Sequence, residues 1–252
     1  MADEAYRCVA RVAWVLFHAL DLRLDVAGQE HIPATGGGVV VLNHTGYLDF
    51  ALAGLPFWRE RGRLVRFMAK QEVFTSRKTG PLMRAMHHIP VDRAAGAASF
   101  RAAVEALRAG ELVGVFPEAT ISRSFCLKEF KSGATRMARA AGVPLIPVTL
   151  WGSQRVWTKD RKPTIGAARH IPISITIGAP LPPGRGAAPD AELVAVMNGL
   201  LDVTRARYPE APGDDPWWVP AHLGGTAPTP EQAAELEAEE QWERARRREA
   251  QE

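Results

Sequence analysis

The residues of this 252-residue chain that could carry out chemistry begin with a histidine and an aspartate five positions apart. His44 and Asp49 stand in the sequence Asn-His-Thr-Gly-Tyr-Leu-Asp, directly after the apolar run 39–42. A turn at Thr45-Gly46 would let the Asp49 carboxylate bind one imidazole nitrogen and leave the other facing a cleft. A histidine held in this way is suited to act as a general base. A lone histidine at a strand end is more often a capping or packing residue, so the pair needs support from other positions.

Spacing alone does not single out this pair, because His87 and Asp92 have the same separation. The residues between His87 and Asp92 read as a strand. Five extended residues at roughly 3.3 Å each would hold those two side chains about 16 Å apart. We therefore expect that His87 and Asp92 do not meet.

Two other strand ends carry polar groups that complement a general base. Arg93 follows the predicted strand 89–92, and Glu118 and Thr120 follow the predicted strand 112–116. Each could be a solvated loop residue, which is the usual fate of arginine and glutamate. In open α/β sheets, however, ligands bind at the carboxyl ends of the strands. A base, a cation for a phosphate, and a carboxylate with a hydroxyl to orient an alcohol would suit acyl transfer onto a phosphorylated polyol.

The elements that must position these residues alternate between short apolar runs and helix-like segments. This pattern predicts an α/β fold, with a mainly parallel central sheet flanked by helices. The predicted strands are 38–42, 65–69, 89–92, 112–116, 145–150 and 171–177, and the predicted helices are near 48–55, 80–87, 97–108, 132–141 and 190–206.

The two ends of the chain differ from this central part. Residues 6–20 predict an amphipathic helix with Val9, Val12, Ala13, Leu16 and Leu20 on its apolar face. Nine uncharged residues between Arg11 and Asp21 are too few to span a bilayer, so this helix either lies in a membrane surface or packs on the core. We divide the chain into an amphipathic N-terminal helix at 1–22, an α/β domain at 23–210, and a Pro/Gly-rich linker with a charged, helical C-terminal tail at 211–252.

Composition narrows the compartment and the partners. The two cysteines, Cys8 and Cys126, have no metal-ligand spacing and suit a reducing compartment, and no signal peptide is evident. The net charge is +3 although the last 22 residues hold eight glutamates against four arginines, so the body of the chain is basic. A basic body favours phospholipid headgroups, CoA phosphates or nucleic acid. We find no nucleic-acid-binding pattern and predict no nucleic-acid partner.

Four segments together resemble the blocks of the PlsC-like glycerolipid acyltransferases, and the nearest relatives are the 1-acyl-sn-glycerol-3-phosphate acyltransferases. The segments are Asn43-His-Thr-Gly-Tyr-Leu-Asp49, Val91-Asp-Arg93, Phe116-Pro-Glu-Ala-Thr120 and Val143-Pro-Leu-Ile-Pro-Val148. They follow the order of the family, and the resemblance extends over about residues 25–180. It implies the family's α/β fold for the central domain.

The resemblance also implies roles for individual residues. His44 would be the catalytic base and Asp49 the carboxylate that orients it. Arg93 would contact the substrate phosphate, and Glu118 and Thr120 would help to hold the glycerol part. Lys131 matches a basic residue that the family commonly places after the third block, and Arg123 is a further candidate phosphate ligand.

This sequence departs from the family pattern at two places in the third block. The family usually has glycine where Ala119 stands, and a methyl group there disfavours a positive φ and leaves the acceptor in doubt. Ile121 and Ser122 separate Thr120 from Arg123, whereas the family often continues directly with Arg-Ser.

The implied reaction is transfer of a fatty acyl group from acyl-CoA or acyl carrier protein to the sn-2 hydroxyl of 1-acyl-sn-glycerol 3-phosphate, giving phosphatidic acid. It requires no metal and no cofactor. We expect the protein to bind the acyl donor, a lysophospholipid phosphate and an anionic membrane surface, on the cytoplasmic face of the cell membrane. The alternatives are acylation of a glycolipid, another lysolipid or glycerol 3-phosphate, a covalent route through Cys126, and a peripheral lipid-binding protein without catalysis.

Overall fold

A seven-stranded sheet covered by helices on both faces forms the body of the protein. The computed structural model describes residues 2–92, 96–161, 163–164, 166, 168–183 and 189–249. The strands are β1 (Arg23–Ala27), β2 (Gly38–Leu42), β3 (Val65–Lys70), β4 (Ile89–Val91), β5 (Leu112–Val115), β6 (Leu145–Trp151) and β7 (Pro172–Ile177). The helices are α1 (Ala2–Ala19), α2 (Asp49–Arg61), α3 (Gln71–Thr75), α4 (Gly80–Ala85), α5 (Gly96–Arg108), α6 (Gly133–Ala141), α7 (Ser153–Val156), α8 (Pro189–Ala206) and α9 (Pro230–Glu249).

The order of strands in the sheet is β1-β7-β6-β2-β5-β3-β4. Neighbouring strands are parallel except β6 and β7, which are antiparallel. Strand β2 therefore lies at the centre, between β6 and β5, and the chain leaves its carboxyl end at residue 43. An α/β fold with a mainly parallel sheet was predicted, and the structure confirms it.

The two faces of β2 build two separate parts of the core, because successive side chains of a strand point to opposite sides. Val40 and Leu42 pack in a cluster with Phe57 of α2. Val39 and Val41 pack in a second cluster that includes Leu107 of α5 and Met137 of α6. All five residues of β2 are buried, which is why the strand reads as an unbroken apolar run.

The six predicted strands are confirmed to within one residue at each end. The seventh strand, β1, was not predicted. It is a five-residue edge strand that carries Arg23 and Asp25, and it pairs in parallel with β7. The residues from Arg23 to Val26 do alternate polar and apolar side chains, as expected for a strand with one face in water. This pattern is only four residues long, and the prediction did not use it.

Helix α1 packs on the core through Tyr6, Ala10 and Phe17, which are buried. The predicted apolar face is divided, because Ala13 and Leu20 pack partly against the core whereas Val12 and Leu16 are exposed. The helix therefore carries apolar residues on two sides. The inward side buries two aromatic rings, and the Tyr6 hydroxyl gains an acceptor by donating to the Val65 carbonyl at 2.7 Å. None of the helices in the described ranges has the length and apolar character needed to cross a bilayer.

The segment that we predicted as a linker after residue 210 packs on the body of the protein. Trp218 and Val219 are buried in a cluster with Phe125, Trp151 and Leu201. This packing brings the chain back across the domain before α9 begins.

We expect Gly114→Ala to destabilise the fold, because a Cβ on Gly114 of β5 would lie 2.5 Å from the ring of Phe67. Overpacking of this kind costs about 1–3 kcal/mol. Urea unfolding measures the loss. The matched control is Gly199→Ala in α8, where no atom lies within 4 Å of the added Cβ, and which we expect to stabilise the protein by up to about 1 kcal/mol. Equal unfolding free energies for the Gly114 variant and the wild type would contradict the packing described.

Candidate active site

The turn after β2 is organised around one carboxylate oxygen. Asp49 Oδ2 accepts hydrogen bonds from the Thr45 N–H at 2.7 Å, the Gly46 N–H at 2.8 Å and His44 Nδ1 at 3.0 Å. The Asp49 side chain is completely buried and stands in the first turn of α2. The unpaired N–H groups at a helix start favour a negative charge there. The predicted meeting of residues 44 and 49 is therefore present.

This arrangement fixes which imidazole nitrogen of His44 carries the proton. An ionised carboxylate only accepts hydrogen bonds, so the nitrogen facing Asp49 must donate. Nδ1 is therefore protonated, and the lone pair of Nε2 is available as a base. The His44 side chain keeps a fifth of its surface exposed, so the ring is within reach of a substrate.

The turn is tied to strand β6 and to the residues that follow it. The Asn43 side chain donates to the Leu150 carbonyl at 3.0 Å and accepts from the Leu150 N–H at 2.8 Å. The Thr158 hydroxyl donates to the Thr45 carbonyl at 2.6 Å, and the hydroxyls of Thr45 and Ser153 lie 3.1 Å apart. These contacts replace the ladder hydrogen bonds that end with the strand, so the backbone of the turn keeps its partners.

Gly46 and Tyr47 lie against Trp157 from the loop after α7. A Cβ at Gly46 would lie 2.8 Å from the Trp157 carbonyl oxygen, which explains the glycine by close approach of two backbones. The Tyr47 N–H donates to the same oxygen at 3.0 Å. The rings of Tyr47 and Trp157, both partly exposed, lie 4.8 Å apart.

Glu118, in the loop after β5, binds the turn from the opposite side. One of its oxygens accepts the His44 N–H at 2.8 Å, and the other accepts the Lys128 N–H at 3.0 Å. Burial raises the pKa of the Glu118 carboxyl to about 8, although the two N–H donors and the Lys128 charge act in the opposite direction. In this structure Glu118 joins two backbone segments, and its predicted contact with the glycerol part stays a prediction.

The same loop holds the His44 ring. The Phe116 ring stacks on the imidazole with 4.1 Å between centroids and 25° between planes. The Ser122 N–H donates to the His44 carbonyl at 2.8 Å. The orientation of the base is thus set by Asp49 at its edge and Phe116 on its face.

Ala119 takes the backbone conformation that a glycine would adopt without strain. Its φ is 61°, and the left-handed region costs a non-glycine residue about 1–2 kcal/mol. The methyl group therefore strains this loop without preventing the turn. The next residue, Thr120, is half-buried and accepts a hydrogen bond from Lys128 Nζ at 2.6 Å.

The other predicted binding residues are distributed around this centre. Arg93 lies outside the described residues. The Lys131 side chain is exposed, and the backbone N–H of Lys131 donates to the Pro117 carbonyl. Arg123 is buried and forms ion pairs with Asp160 and Glu240. The structure brings residues 44, 49 and 118 together, and the substrate contacts of Arg93, Lys131 and Arg123 stay predictions.

Sequence reasoning missed Phe116, Lys128 and Thr158 as parts of this site. Each reaches the turn from a distant point in the chain, and no spacing in the sequence indicates such a contact. The phenylalanine that precedes Pro-Glu-Ala-Thr is part of a motif, and it offered the one available signal.

Cys126 is the other nucleophile that the sequence analysis considered, and its surroundings do not activate it. Burial raises the pKa of the Cys126 thiol, which favours the less nucleophilic protonated form. Its sulfur lies 3.7 Å from His222 Nδ1, a neighbour that the sequence did not indicate. Within the described ranges, no three His, Cys, Asp or Glu side chains are grouped so that they could hold a metal ion.

Comparison with known proteins gives the class. The sequence model of the family described as Acyltransferase matches residues 23–151, about half of the chain and the part that contains His44, Asp49 and Glu118. This chain belongs to that acyltransferase family.

Two individual relatives with similar sequences are 1-acyl-sn-glycerol-3-phosphate acyltransferases by name. The 1-acyl-sn-glycerol-3-phosphate acyltransferase of Bacillus subtilis is 32% identical over 133 residues, which are 51% of this chain and 63% of that protein. The chloroplastic 1-acyl-sn-glycerol-3-phosphate acyltransferase BAT2 of Brassica napus is 28% identical over 164 residues, 63% of this chain and 45% of that protein. The matched region thus spans less than two thirds of the length of either relative.

A solved structure shows the same fold. The crystal structure of the 1-acyl-sn-glycerophosphate acyltransferase PlsC from Thermotoga maritima superposes with a TM-score of 0.66 and 23% identity, covering 81% of each chain. The α/β architecture is therefore shared over most of both proteins.

We expect Glu118→Gln to loosen the turn and to change the pH dependence of stability. A Gln amide would point its NH₂ group at one of the two N–H donors, and an unsatisfied buried donor costs about 1–3 kcal/mol. The pKa of Glu118 in the folded state, about 8, is above the usual 4.5, so folding takes up a proton between these values. The free energy of unfolding should fall as pH rises through this range in the wild type, and less so in the variant.

Urea unfolding of both proteins at several pH values from 4.5 to 8 measures this difference. Glu129→Gln, at an exposed position in the same loop, is the matched control and should follow the wild type. Parallel curves for the wild type and the Glu118 variant would contradict the assigned titration.

Proposed function

We propose that this protein is an O-acyltransferase that moves a fatty acyl group from acyl-CoA or acyl carrier protein to the sn-2 hydroxyl of 1-acyl-sn-glycerol 3-phosphate, giving phosphatidic acid. The observation that carries the proposal is the His44–Asp49 pair, with Nδ1 held at 3.0 Å and Nε2 left free as a base. Membership of the acyltransferase family supports the reaction. The names of the relatives support the acceptor.

The mechanism is direct transfer between the two substrates. His44 Nε2 accepts the proton of the acceptor hydroxyl as its oxygen attacks the thioester carbonyl. The tetrahedral intermediate then collapses, the C–S bond breaks, and the departing thiolate takes the proton from the imidazolium. Asp49 stabilises the imidazolium between these steps, and its three hydrogen bonds keep the carboxylate from rotating away. General-base catalysis of this kind contributes roughly 10²–10⁴ in rate.

The burial around the base favours this role. Asp49 is fully enclosed, and Phe116 covers one face of the His44 ring. A carboxylate interacts more strongly with a cation in such surroundings than in water. The imidazolium that forms during the reaction is therefore stabilised by a partner already fixed in place, with little reorganisation.

We expect the purified protein to release free thiol from oleoyl-CoA only when lysophosphatidate is present, and His44→Ala to lower the turnover at least about 10²-fold. The matched control is His170→Asn, which removes another histidine–aspartate pair, His170 with Asp21, at an exposed position. Asparagine is chosen because residue 170 has a φ of 61°, which asparagine tolerates.

The outcomes of this assay separate the candidate functions. Wild-type turnover in the His44 variant would exclude the base assignment, and a trapped acyl-enzyme without acceptor would point to Cys126. Preference for a glycolipid, for a lysolipid without a phosphate monoester or for glycerol 3-phosphate would replace the proposed acceptor. Binding of lipid without release of thiol from oleoyl-CoA, whichever acceptor is present, would indicate a non-catalytic lipid-binding protein.

Membrane attachment through α1 is part of the same proposal, because a lysophospholipid acceptor resides in a bilayer. Val12, Val15 and Leu16 form an exposed apolar strip on the outer side of α1, and Arg11 lies beside it. A surface helix with an apolar strip and flanking basic residues binds in the plane of an anionic bilayer. We place the protein as a peripheral protein on the cytoplasmic face of the cell membrane.

We expect Val15→Asp to weaken binding to vesicles of phosphatidylglycerol and phosphatidylcholine by at least about tenfold, since burial of a valine is worth about 1.5–3 kcal/mol. Flotation measures the bound fraction. Val203→Asp on α8 is the matched control, because Val203 is 51% exposed and Val15 is 58% exposed. Equal losses in both variants, or in neither, would contradict attachment through α1.

A further inference from the structure

Three cationic side chains lie beside the catalytic turn, and we call Arg123, Lys128 and Lys159 the basic cluster. Each of these residues, or the residue just before it in the chain, is connected to the turn by hydrogen bonds. The backbone N–H groups of Lys128 and His44 donate to the two carboxylate oxygens of Glu118. Arg123 follows Ser122, which binds the His44 carbonyl, and Lys159 follows Thr158, which binds the Thr45 carbonyl.

Helix α9 supplies two carboxylates to this cluster. Both oxygens of Glu237 lie 2.7 Å from Lys128 Nζ. Glu240 Oε2 lies 3.0 Å from Arg123 Nη2 and 3.0 Å from Lys159 Nζ. Lysine and arginine together lower the pKa of Glu240 although partial burial alone would raise it, so the carboxylate is held as an anion.

With α9 in place, the basic cluster is largely enclosed. The exposed fractions of the side chains are 8% for Arg123, 12% for Lys159 and 27% for Lys128. Leaving charges at such positions without partners is costly. Among the described residues, Asp160 also pairs with Arg123, and its side chain is mostly exposed. The carboxylates of α9 therefore supply much of the negative charge that balances the enclosed cluster.

The cluster also has a donor that α9 does not use. Arg123 Nη1 is buried and has no hydrogen-bond partner among the described residues. A phosphate offers more acceptor oxygens than a carboxylate and suits a guanidinium with two lysines. One buried donor of the cluster is thus left over for a further acceptor oxygen.

Helix α9 has little else to hold it. Among the side chains described in α9, Ala233 is the buried apolar one, while Leu236 and Trp242 are exposed. Its attachment near the turn therefore depends on ion pairs more than on apolar burial. A ligand that displaces α9 must therefore supply the negative charge that the two glutamates provide, since leaving enclosed cations unpaired is costly.

We propose that α9 is an autoinhibitory helix whose Glu237 and Glu240 occupy a phosphate-binding site formed by Arg123, Lys128 and Lys159, and that a substrate phosphate displaces them. The inference rests on the proposed function, because it assumes that the ligand of the turn carries a phosphate. The phosphate comes either from the lysophosphatidate acceptor or from the CoA donor. Binding then carries the cost of moving α9, which raises the apparent KM for that substrate.

Hydrogen exchange by mass spectrometry tests the displacement in the full-length wild-type protein without requiring turnover. Lauroyl lysophosphatidate below its critical micelle concentration, CoA and monolauroylglycerol are added separately. We expect faster exchange of the α9 amides with a phosphate ligand and unchanged exchange with monolauroylglycerol. An effect of lysophosphatidate alone assigns the site to the acceptor, and an effect of CoA alone assigns it to the donor. Unchanged exchange with both phosphate ligands would overturn the proposal.

Steady-state kinetics give the second measurement. The double variant Glu237→Gln with Glu240→Gln should lower the KM for the displacing substrate about fivefold with little change in kcat. The double variant Glu235→Gln with Glu239→Gln changes the net charge equally at exposed positions of the same helix, and its KM should match the wild type. A KM that is the same in both double variants would count against the inhibitory role. Absence of turnover with every acceptor would instead reject the proposed function, and the exchange result would still stand.

Discussion

The position of the base depends on one oxygen atom, Asp49 Oδ2, which accepts three N–H groups from the turn that precedes it. Two of the donors are backbone amides, so the same atom shapes the turn and orients the imidazole. The turn begins where the central strand ends, and the fully buried β2 gives it a rigid support. The contacts that shape this site lie within a few consecutive residues. The strand from which they start is held in place by the whole sheet.

The parts of the fold that the sequence predicted are those whose pattern is local. Strand β2 is buried on both faces, so its run of valines is unambiguous. Strand β1 was not predicted, because its polar/apolar alternation covers only four residues and its pairing with β7 involves residues almost 150 positions away. Periodicity did not decide whether the apolar face of α1 packs on the core, since the helix has two apolar sides. The Tyr6 hydrogen bond to Val65, a tertiary contact, distinguishes them.

The same division applies to the candidate site. His44 and Asp49 could be predicted because a five-residue turn encodes their meeting. Glu118 was expected to face a substrate, and the structure shows it between two backbone amides. Residue type and motif identify a carboxylate of importance, but they do not show which atoms it will bind. The contacts of Lys128 with Glu237 join residues 109 positions apart, and nothing in the local sequence of either residue indicates them.

The two apolar faces of α1 have a thermodynamic consequence. The inner face contributes Tyr6 and Phe17 to the core, and the outer face exposes Val12 and Leu16. A partner that binds the outer face of the folded chain more tightly than it binds the unfolded chain raises the free energy of unfolding by linkage. Removing the helix would also remove part of the core, and truncation would therefore confuse lost adhesion with lost folding.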